Sequence, residues 1–293
     1  MLGIVNLDKP VGPTSHDMVD LVRRLTGMRR IGHAGTLDPL ASGVLPILIG
    51  AATRFSEDLS AGPKRYDAVI RLGVRSRTDD AQGPLEPGSR PPEIGAVAAA
   101  LGSFVGTFDQ RPPAFSARKV AGVVAHRAAR SGTPVEAPSR RVTVDAIEVV
   151  GTEAGDGWLD VRCDVRCGPG TYIRSIARDL GDRLGCGGYL RRLRRTAAAG
   201  LSVDDALDPT QLEELARSGR LAEAVRPIAP LLRLPHLRLA RGDAERFLHG
   251  AAVTVRADPG RRAVFDNETL IGIGVVRDGV LAPRTVLPMP GSA

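Results

Sequence analysis

Short runs with strand periodicity and longer stretches with helical spacing interleave along this chain. Residues 2–7 are mostly apolar and read as a strand that begins almost at the first residue. Asp8-Lys9-Pro10-Val11-Gly12-Pro13 follows as a stiff turn. Ser15 is placed to cap a helix reaching about Thr26, with Val19, Leu21, Val22 and Leu25 on its apolar side and Gly27 stopping it. Val44 to Ile49 is apolar enough for a buried strand, and residues 51–59 predict a helix. Lys64 to Leu72 has strand composition with partial alternation. Residues 76–92 are polar and rich in Gly and Pro, and predict a loop. Ile94, Val97, Ala98, Leu101 and Val105 then recur at helical spacing. From Trp158 to Cys167 the alternation is clean. Leu159, Val161, Cys163, Val165 and Cys167 share one face, with Asp160, Arg162, Asp164 and Arg166 on the other. Gly168-Pro169-Gly170 breaks that strand, and Thr171 starts a helix buried through Ile173, Ile176, Ala177, Leu180 and Leu184. Residues 201–230 read as a linker with one helix. The remainder consists of short strands punctuated by Gly and Pro, such as Ala263 to Phe265 and Leu270 to Val276.

Length and charge narrow the picture. The 293-residue chain exceeds a typical single domain, so the length favours about two. It carries 40 basic against 33 acidic residues, net +7, with a pI near 10.0, a balance suited to a polyanionic partner. Only three of the basic residues are lysines: Lys9, Lys64 and Lys119. A compact ammonium and a planar guanidinium are not interchangeable at a crowded site, which makes these three candidates for the site region. Cys163, Cys167 and Cys186 form neither a paired disulfide framework nor a metal set and read as buried free thiols. Asp8 and Lys9 interrupt the first apolar stretch, which argues against a secretory signal, and no apolar run approaches the roughly 20 residues of a membrane span. The expectation is a cytoplasmic protein.

Candidate chemistry concentrates between Arg29 and Pro46. His33, Asp38 and the glycines at 32, 35 and 43 share a loop between apolar segments. Pro39 biases Asp38 towards an extended backbone. A carboxylate is thereby mounted on a stiffened loop at the entry to a core strand, a placement that serves catalysis and equally serves a turn.

His-Ala-Gly-Thr-Leu-Asp-Pro-Leu-Ala-Ser-Gly-Val-Leu-Pro, residues 33–46, closely resembles the signature of the TruB family of bacterial tRNA pseudouridine synthases. The resemblance makes Asp38 the essential catalytic residue. Lys64-Arg65-Tyr66 resembles a second motif of that family, whose tyrosine stacks on the flipped uracil; packing alone would also account for Tyr66. Asp109 to Lys119 resembles the Gln-x-Pro-Pro-x-x-Ser-Ala-x-Lys segment, with Phe115 and His126 where many members have tyrosine, and with Arg127 and Arg130 following. Gly170 to Ser175 resembles a third motif, which contains Tyr172 and whose arginine, Arg174, pairs with the catalytic aspartate. Arg174 and Arg178 share a helix face and would otherwise read as surface residues. Tyr189 to Arg195 holds four arginines in seven residues, suited to phosphates, and its Leu-Arg-Arg-Leu places Leu193 against the uracil. Arg77 stands where the family usually carries an acidic residue.

The resemblance implies an α+β fold. Residues 1–230 would form a pseudouridine-synthase catalytic domain, a mixed and largely antiparallel sheet flanked by helices, with an RNA-contacting insertion at about 107–131. Residues 231–293 would form a small PUA-like β-barrel that binds RNA. The implied reaction is isomerisation of a uridine in the T loop of tRNA, conventionally position 55, by base flipping. Asp38 would attack the sugar or base or take a sugar proton. Arg174 would orient it, and Tyr66 and Leu193 would hold the uracil. His33 would hold the opened loop, Lys9 and Lys64 would make structural or phosphate contacts, and Tyr172 and Arg195 would contact substrate. No cofactor, metal, membrane or protein partner is implied, and a monomer is expected. Two rival readings are a guide-RNA-dependent synthase subunit and a tRNA-folding chaperone without catalysis. A carboxylate-pair glycosidase would need a second acid that the sequence does not offer.

Overall fold

A computed structural model describes residues 1–114, 119–120, 123–124 and 138–288. The side chains of Phe115, Lys119, His126, Arg127 and Arg130, and most of the 107–131 insertion, lie outside the described residues.

One nine-stranded sheet organises residues 1–202. Its main strands are β1 (Gly3–Lys9), β2 (Ile31–His33), β3 (Ala41–Ile49), β4 (Lys64–Leu72), β5 (Gly106–Gln110), β6 (Arg140–Gly155), β7 (Trp158–Cys167) and β8 (Gly188–Ala198). The order is β1-β3-β8-β4-β7-β6-β5, with β2 on β3 and the two-residue strand Leu201–Ser202 on β8. All pairings are antiparallel except β3 with β8, which run parallel through Leu193↔Ala41 to Arg195↔Gly43. That short parallel seam joins the two halves of the sheet beside the Asp38 loop.

Helices α1 (Ser15–Thr26), α2 (Ser56–Ser60), α3 (Ile94–Gly102), α4 (Ile173–Arg183) and α5 (Pro209–Arg217) flank the sheet. The core under α1 and α4 gathers Val19, Val22, Leu45, Ile47, Ile70, Cys163, Ile176 and Leu180, all buried. Burial raises the Cys163 thiol to about 12 and that of Cys167 to about 11, as expected of inert core thiols. A second sheet follows. It comprises β9 (His236–Leu239), β10 (Val253–Thr254), β11 (Gly260–Asp266), β12 (Thr269–Arg277) and β13 (Val280–Val286), in the order β9-β11-β12-β13-β10. Together with α6 (Arg241–Leu248), whose Phe247 is fully buried, it makes the PUA-like C-terminal unit. Ile273 and Leu287 of this unit pack in one cluster with Phe55 and Leu59, and Arg261 pairs with Asp58. The two parts therefore share an apolar seam.

Several local expectations change. Thr14, not Ser15, caps α1. Its hydroxyl accepts from Asp17 N at 3.1 Å, and Asp17 in return accepts from Thr14 N at 2.7 Å. Residues 51–59 split into a 3₁₀ turn (Gly50–Phe55) and α2. The helix expected from Thr171 starts at Ile173. Ile94 and Val105, assigned to an apolar helix face, are exposed. The arginine-rich stretch 189–195 is a central strand: Leu193 and Arg195 point into the core, while Arg192 and Arg194 point outwards.

Candidate active site

The Asp38 loop is built by contacts on both sides. Ser15, 3 % exposed, donates its hydroxyl proton to Leu37 O at 2.9 Å and accepts from Leu37 N at 2.8 Å. Gly12 N donates to Pro39 O at 2.8 Å. On the far side the Arg195 guanidinium is buried beneath the loop. It donates to Val44 O at 2.7 Å, Thr36 O at 3.3 Å and Gly35 O at 3.0 Å. Gly43 makes the parallel seam possible. Its φ is +104°, and a Cβ there would sit 2.2 Å from Arg195 O, so no side chain fits.

Asp38 projects from this loop half-exposed, and Arg174 Nη2 lies 2.9 Å from its Oδ2. Arg174 is itself buried. Its Nη1 donates to Thr78 O at 3.3 Å and lies 3.5 Å from the buried Asp80 carboxylate. Asp80 is fixed in turn by the Thr78 hydroxyl at 2.6 Å and by Gln82 N at 3.0 Å. One guanidinium thus spans two carboxylates, one buried and one facing the cleft. That charge-assisted bridge fixes where Asp38 points. Arg178, a turn later on α4, bonds Asp79 at 2.9 Å and Arg111 O at 2.9 Å. Asp79 holds a left-handed backbone with φ of +60°.

A cleft of about 360 Å³ opens beside Asp38. Its walls include Asp38, Tyr66, Lys64, Tyr172, Arg174 and Leu193, with Arg195 at its base. Tyr66, on β4, is 6 % exposed; burial raises its hydroxyl pKa, and the adjacent Arg195 works against that rise. Lys64 donates to Ser60 O at 2.7 Å and Gly62 O at 2.8 Å, and burial lowers its ammonium to about 8. Tyr172 is held by Gln110, whose side-chain amide donates to Tyr172 O at 3.0 Å and accepts from Tyr172 N at 2.8 Å.

Three residues assigned to substrate are held within the protein around the cleft. Lys9 is wholly buried, donates to Pro10 O at 2.8 Å and Pro13 O at 2.7 Å, and is lowered to about 8 by burial against the opposing pull of Asp38. It holds the Pro10–Pro13 turn, the structural one of its two expected roles. Arg195 belongs to the loop's foundation, because its donors go to backbone carbonyls. His33 lies on β2 rather than in the cleft wall; its Nδ1 is buried without a hydrogen-bond partner, and burial lowers its pKa. The four arginines of 189–195 do not converge on the cleft either: Arg195 lies beneath the loop, while Arg191, Arg192 and Arg194 each reach a carboxylate away from it. Arg77 faces Glu86 at 3.8 Å, both exposed, away from these groups.

Sequence reading misses Ser15 as a loop anchor, Asp80, and the hold of Gln110, first residue of the Gln-x-Pro-Pro motif, on Tyr172. The acidic pair Asp79-Asp80 in a polar loop is the only signal for Asp80, and the pattern gives no partner for it. Among the described residues no group of His, Cys, Asp and Glu could hold a metal ion.

Comparison with known proteins shows the family. Residues 23–173 match the TruB family pseudouridylate synthase N-terminal domain, residues 174–233 the tRNA pseudouridylate synthase B C-terminal domain, and residues 235–287 the pseudouridine synthase II TruB C-terminal family. The tRNA pseudouridine synthase B of Acaryochloris marina is 42 % identical over 98 % of this chain and 99 % of its own length. That of Burkholderia pseudomallei is 41 % identical over 97 % and 96 %. Among solved structures, an H/ACA ribonucleoprotein bound to a substrate RNA superposes with a TM-score of 0.75 at 23 % identity, covering 99 % of this chain and 86 % of the other. A Cbf5–Nop10–Gar1 complex gives 0.72 at 25 % identity, covering 97 % and 84 %.

Proposed function

The chain belongs to the TruB family of pseudouridylate synthases and isomerises uridine to pseudouridine in tRNA; on that premise we propose that its target is the T-loop uridine at position 55 and that Asp38 is the catalytic carboxylate. The observation that carries the assignment is the 2.9 Å contact of Arg174 with Asp38 at the mouth of a cleft that also presents Tyr66 and Leu193.

In the reaction the bond from C1′ to N1 breaks, the uracil turns while bound, and C1′ bonds to C5. The C5 proton is lost and N1 gains one, so nothing is oxidised or reduced overall. To reach the cleft the uridine leaves its stack, a cost of a few kcal/mol offset by stacking and hydrogen bonds inside. Asp38 acts at the sugar–base junction, by attack on sugar or base or by taking a sugar proton. Arg174 keeps its carboxylate aimed through a charge-assisted contact. Tyr66 offers its ring to the base, and Leu193 and Tyr172 close the apolar side. Lys64 stands at the rim, where its charge suits phosphate. Residues 231–293 act as an RNA-binding appendage to a catalytic unit spanning 1–230.

A guide-dependent reading draws support from the H/ACA likeness. The stand-alone reading is favoured by near full-length similarity to tRNA pseudouridine synthase B, at 42 % identity against 23 % for the H/ACA structure. In this reading the enzyme works as a cytoplasmic monomer. The test is base-resolved pseudouridine mapping on unmodified tRNA with purified protein and no other component, for the wild type and Asp38→Asn. Product at the T-loop uridine from the wild type alone supports the proposal. Binding without product from both proteins would overturn it in favour of a guide or a chaperone.

A further inference from the structure

The face of the large sheet opposite Tyr66 and Leu193 carries a lattice of seven arginines: 65, 71, 162, 166, 191, 192 and 194. They meet five carboxylates, Asp8, Asp67, Glu148, Asp160 and Asp164. Strand alternation put them there: Arg65, Asp67, Val69 and Arg71 on β4 pair in register with Arg166, Asp164, Arg162 and Asp160 on β7.

At three of the five acids depth separates the two signs. Asp160, Asp67 and Asp164 are 4 %, 18 % and 19 % exposed, whereas Arg65, Arg162, Arg191 and Arg192 are 55 %, 55 %, 45 % and 56 % exposed; Arg71 lies as deep as the acids, and Glu148 is exposed. Two carboxylates are each shared by two guanidinium groups. Arg71 grips Asp160 through two bonds of 2.7 and 2.8 Å, and Arg191 reaches the same carboxylate. Arg162 grips Asp67 at 3.0 and 2.8 Å, with Arg192 at 3.5 Å. Asp160, Asp67 and Asp164 lie inward and orient Arg65, Arg162, Arg191 and Arg192, which are exposed to solvent. At the catalytic-loop end the face deepens into a cavity of about 680 Å³, where Arg162, Arg191 and Arg192 surround an apolar patch of Val11, Leu40 and Val69. Glu153 is an acidic group on its wall.

Oriented, exposed guanidinium groups over buried counter-charges match a chain of phosphates, and an apolar floor between them accepts an unstacked base. We infer that this face is a second RNA-binding surface, which contacts the backbone of RNA beyond the T-loop nucleotide held in the catalytic cleft. The inference rests on the tRNA-modifying reading of the cleft. It adds a contact on the opposite side of the same strands from the cleft that presents Asp38 and Tyr66.

The double variant R191Q/R192Q tests it with little risk to the fold, because Asp160 keeps Arg71 and Asp67 keeps Arg162. Binding of full-length tRNA and of an isolated T-arm hairpin is measured as a function of salt, together with single-turnover pseudouridine formation on the hairpin. Loss of two phosphate contacts lowers the slope of log affinity against log salt by about 1.4–1.8 for full-length tRNA. Hairpin affinity and hairpin turnover stay at the wild-type level. R24Q/R220Q removes the same charge at exposed pairs elsewhere and leaves the slope unchanged. Equal slopes for R191Q/R192Q and wild type overturn the inference, as does an equal loss in the R24Q/R220Q control or on the hairpin. Hairpin turnover absent from the wild type would instead strike at the catalytic reading.

Discussion

The hydroxyl of Ser15 and the backbone of Leu37 form a reciprocal pair of hydrogen bonds, 2.9 Å out and 2.8 Å back, one residue before Asp38. The first turn of α1 thereby fixes the height and direction of the loop that carries the carboxylate. Thr14, beside it, caps the helix by ordinary means. The two neighbours have separable roles.

Ser15→Ala leaves the buried Leu37 N–H and C=O without that partner. We expect a loss of about 1–3 kcal/mol in stability and a slower single-turnover rate at saturating enzyme. Thr14→Ala costs about 1 kcal/mol through the cap, with the rate of bound tRNA unchanged. Denaturant unfolding alongside single-turnover assays separates the two; equal rate losses would refute the anchoring role of Ser15.

Arg174→Lys keeps the charge but cannot span Asp38 and Asp80 with one planar fork. A misplacement of the carboxylate by about 1 Å can cost on the order of 100-fold in rate. That loss is expected at saturating enzyme, with tRNA affinity nearly intact. Asp80→Asn should slow the reaction in the same sense, because it removes the buried end of the bridge. An effect confined to affinity would contradict the bridge.

Lys64 gives a pH signature. Its ammonium is held down at about 8 by burial, so in the folded protein it is charged below that pH and neutral above it. The unfolded chain keeps the charge to about 10.4. The lowered value means that burial of this charge costs stability below pH 8, a cost that lifts as pH rises from there to the unfolded value. If the charge meets phosphate, tRNA affinity falls between pH 7 and 9, and Lys64→Arg flattens that fall. Titrations of both proteins across this range check it; parallel curves would remove Lys64 from the RNA contact.

Removal of everything beyond Pro230 is expected to weaken tRNA binding more than it slows bound-state chemistry. It also strips Ile273 and Leu287 from Phe55 and Leu59 and leaves Asp58 without Arg261. The truncated protein should therefore unfold at a lower denaturant concentration. Single-turnover rates at saturation and unfolding midpoints report the two effects, and a large rate loss with unchanged stability would be the contrary result.

Motif order, the strand pattern of β7 and the resemblance that singles out Asp38, Tyr66 and Arg174 are legible in the chain alone. Period-two alternation and helical spacing are local properties, and 33–46 carries its resemblance in contiguous residues. Partners remote in sequence were another matter. Asp38 and Arg174 are 136 residues apart, and the motif resemblance alone brought them together; their distance, and Asp80 as third member, came from the fold. Lys9 and Arg195 looked like phosphate binders because composition records charge and not burial. Only the packed structure shows their donors turned onto backbone carbonyls, as buried polar groups require. The same limit hid the arginine lattice. Its residues are scattered over β4, β7 and β8, and which charges face water while their partners lie beneath is decided by how strands pair and how deep each side chain sits.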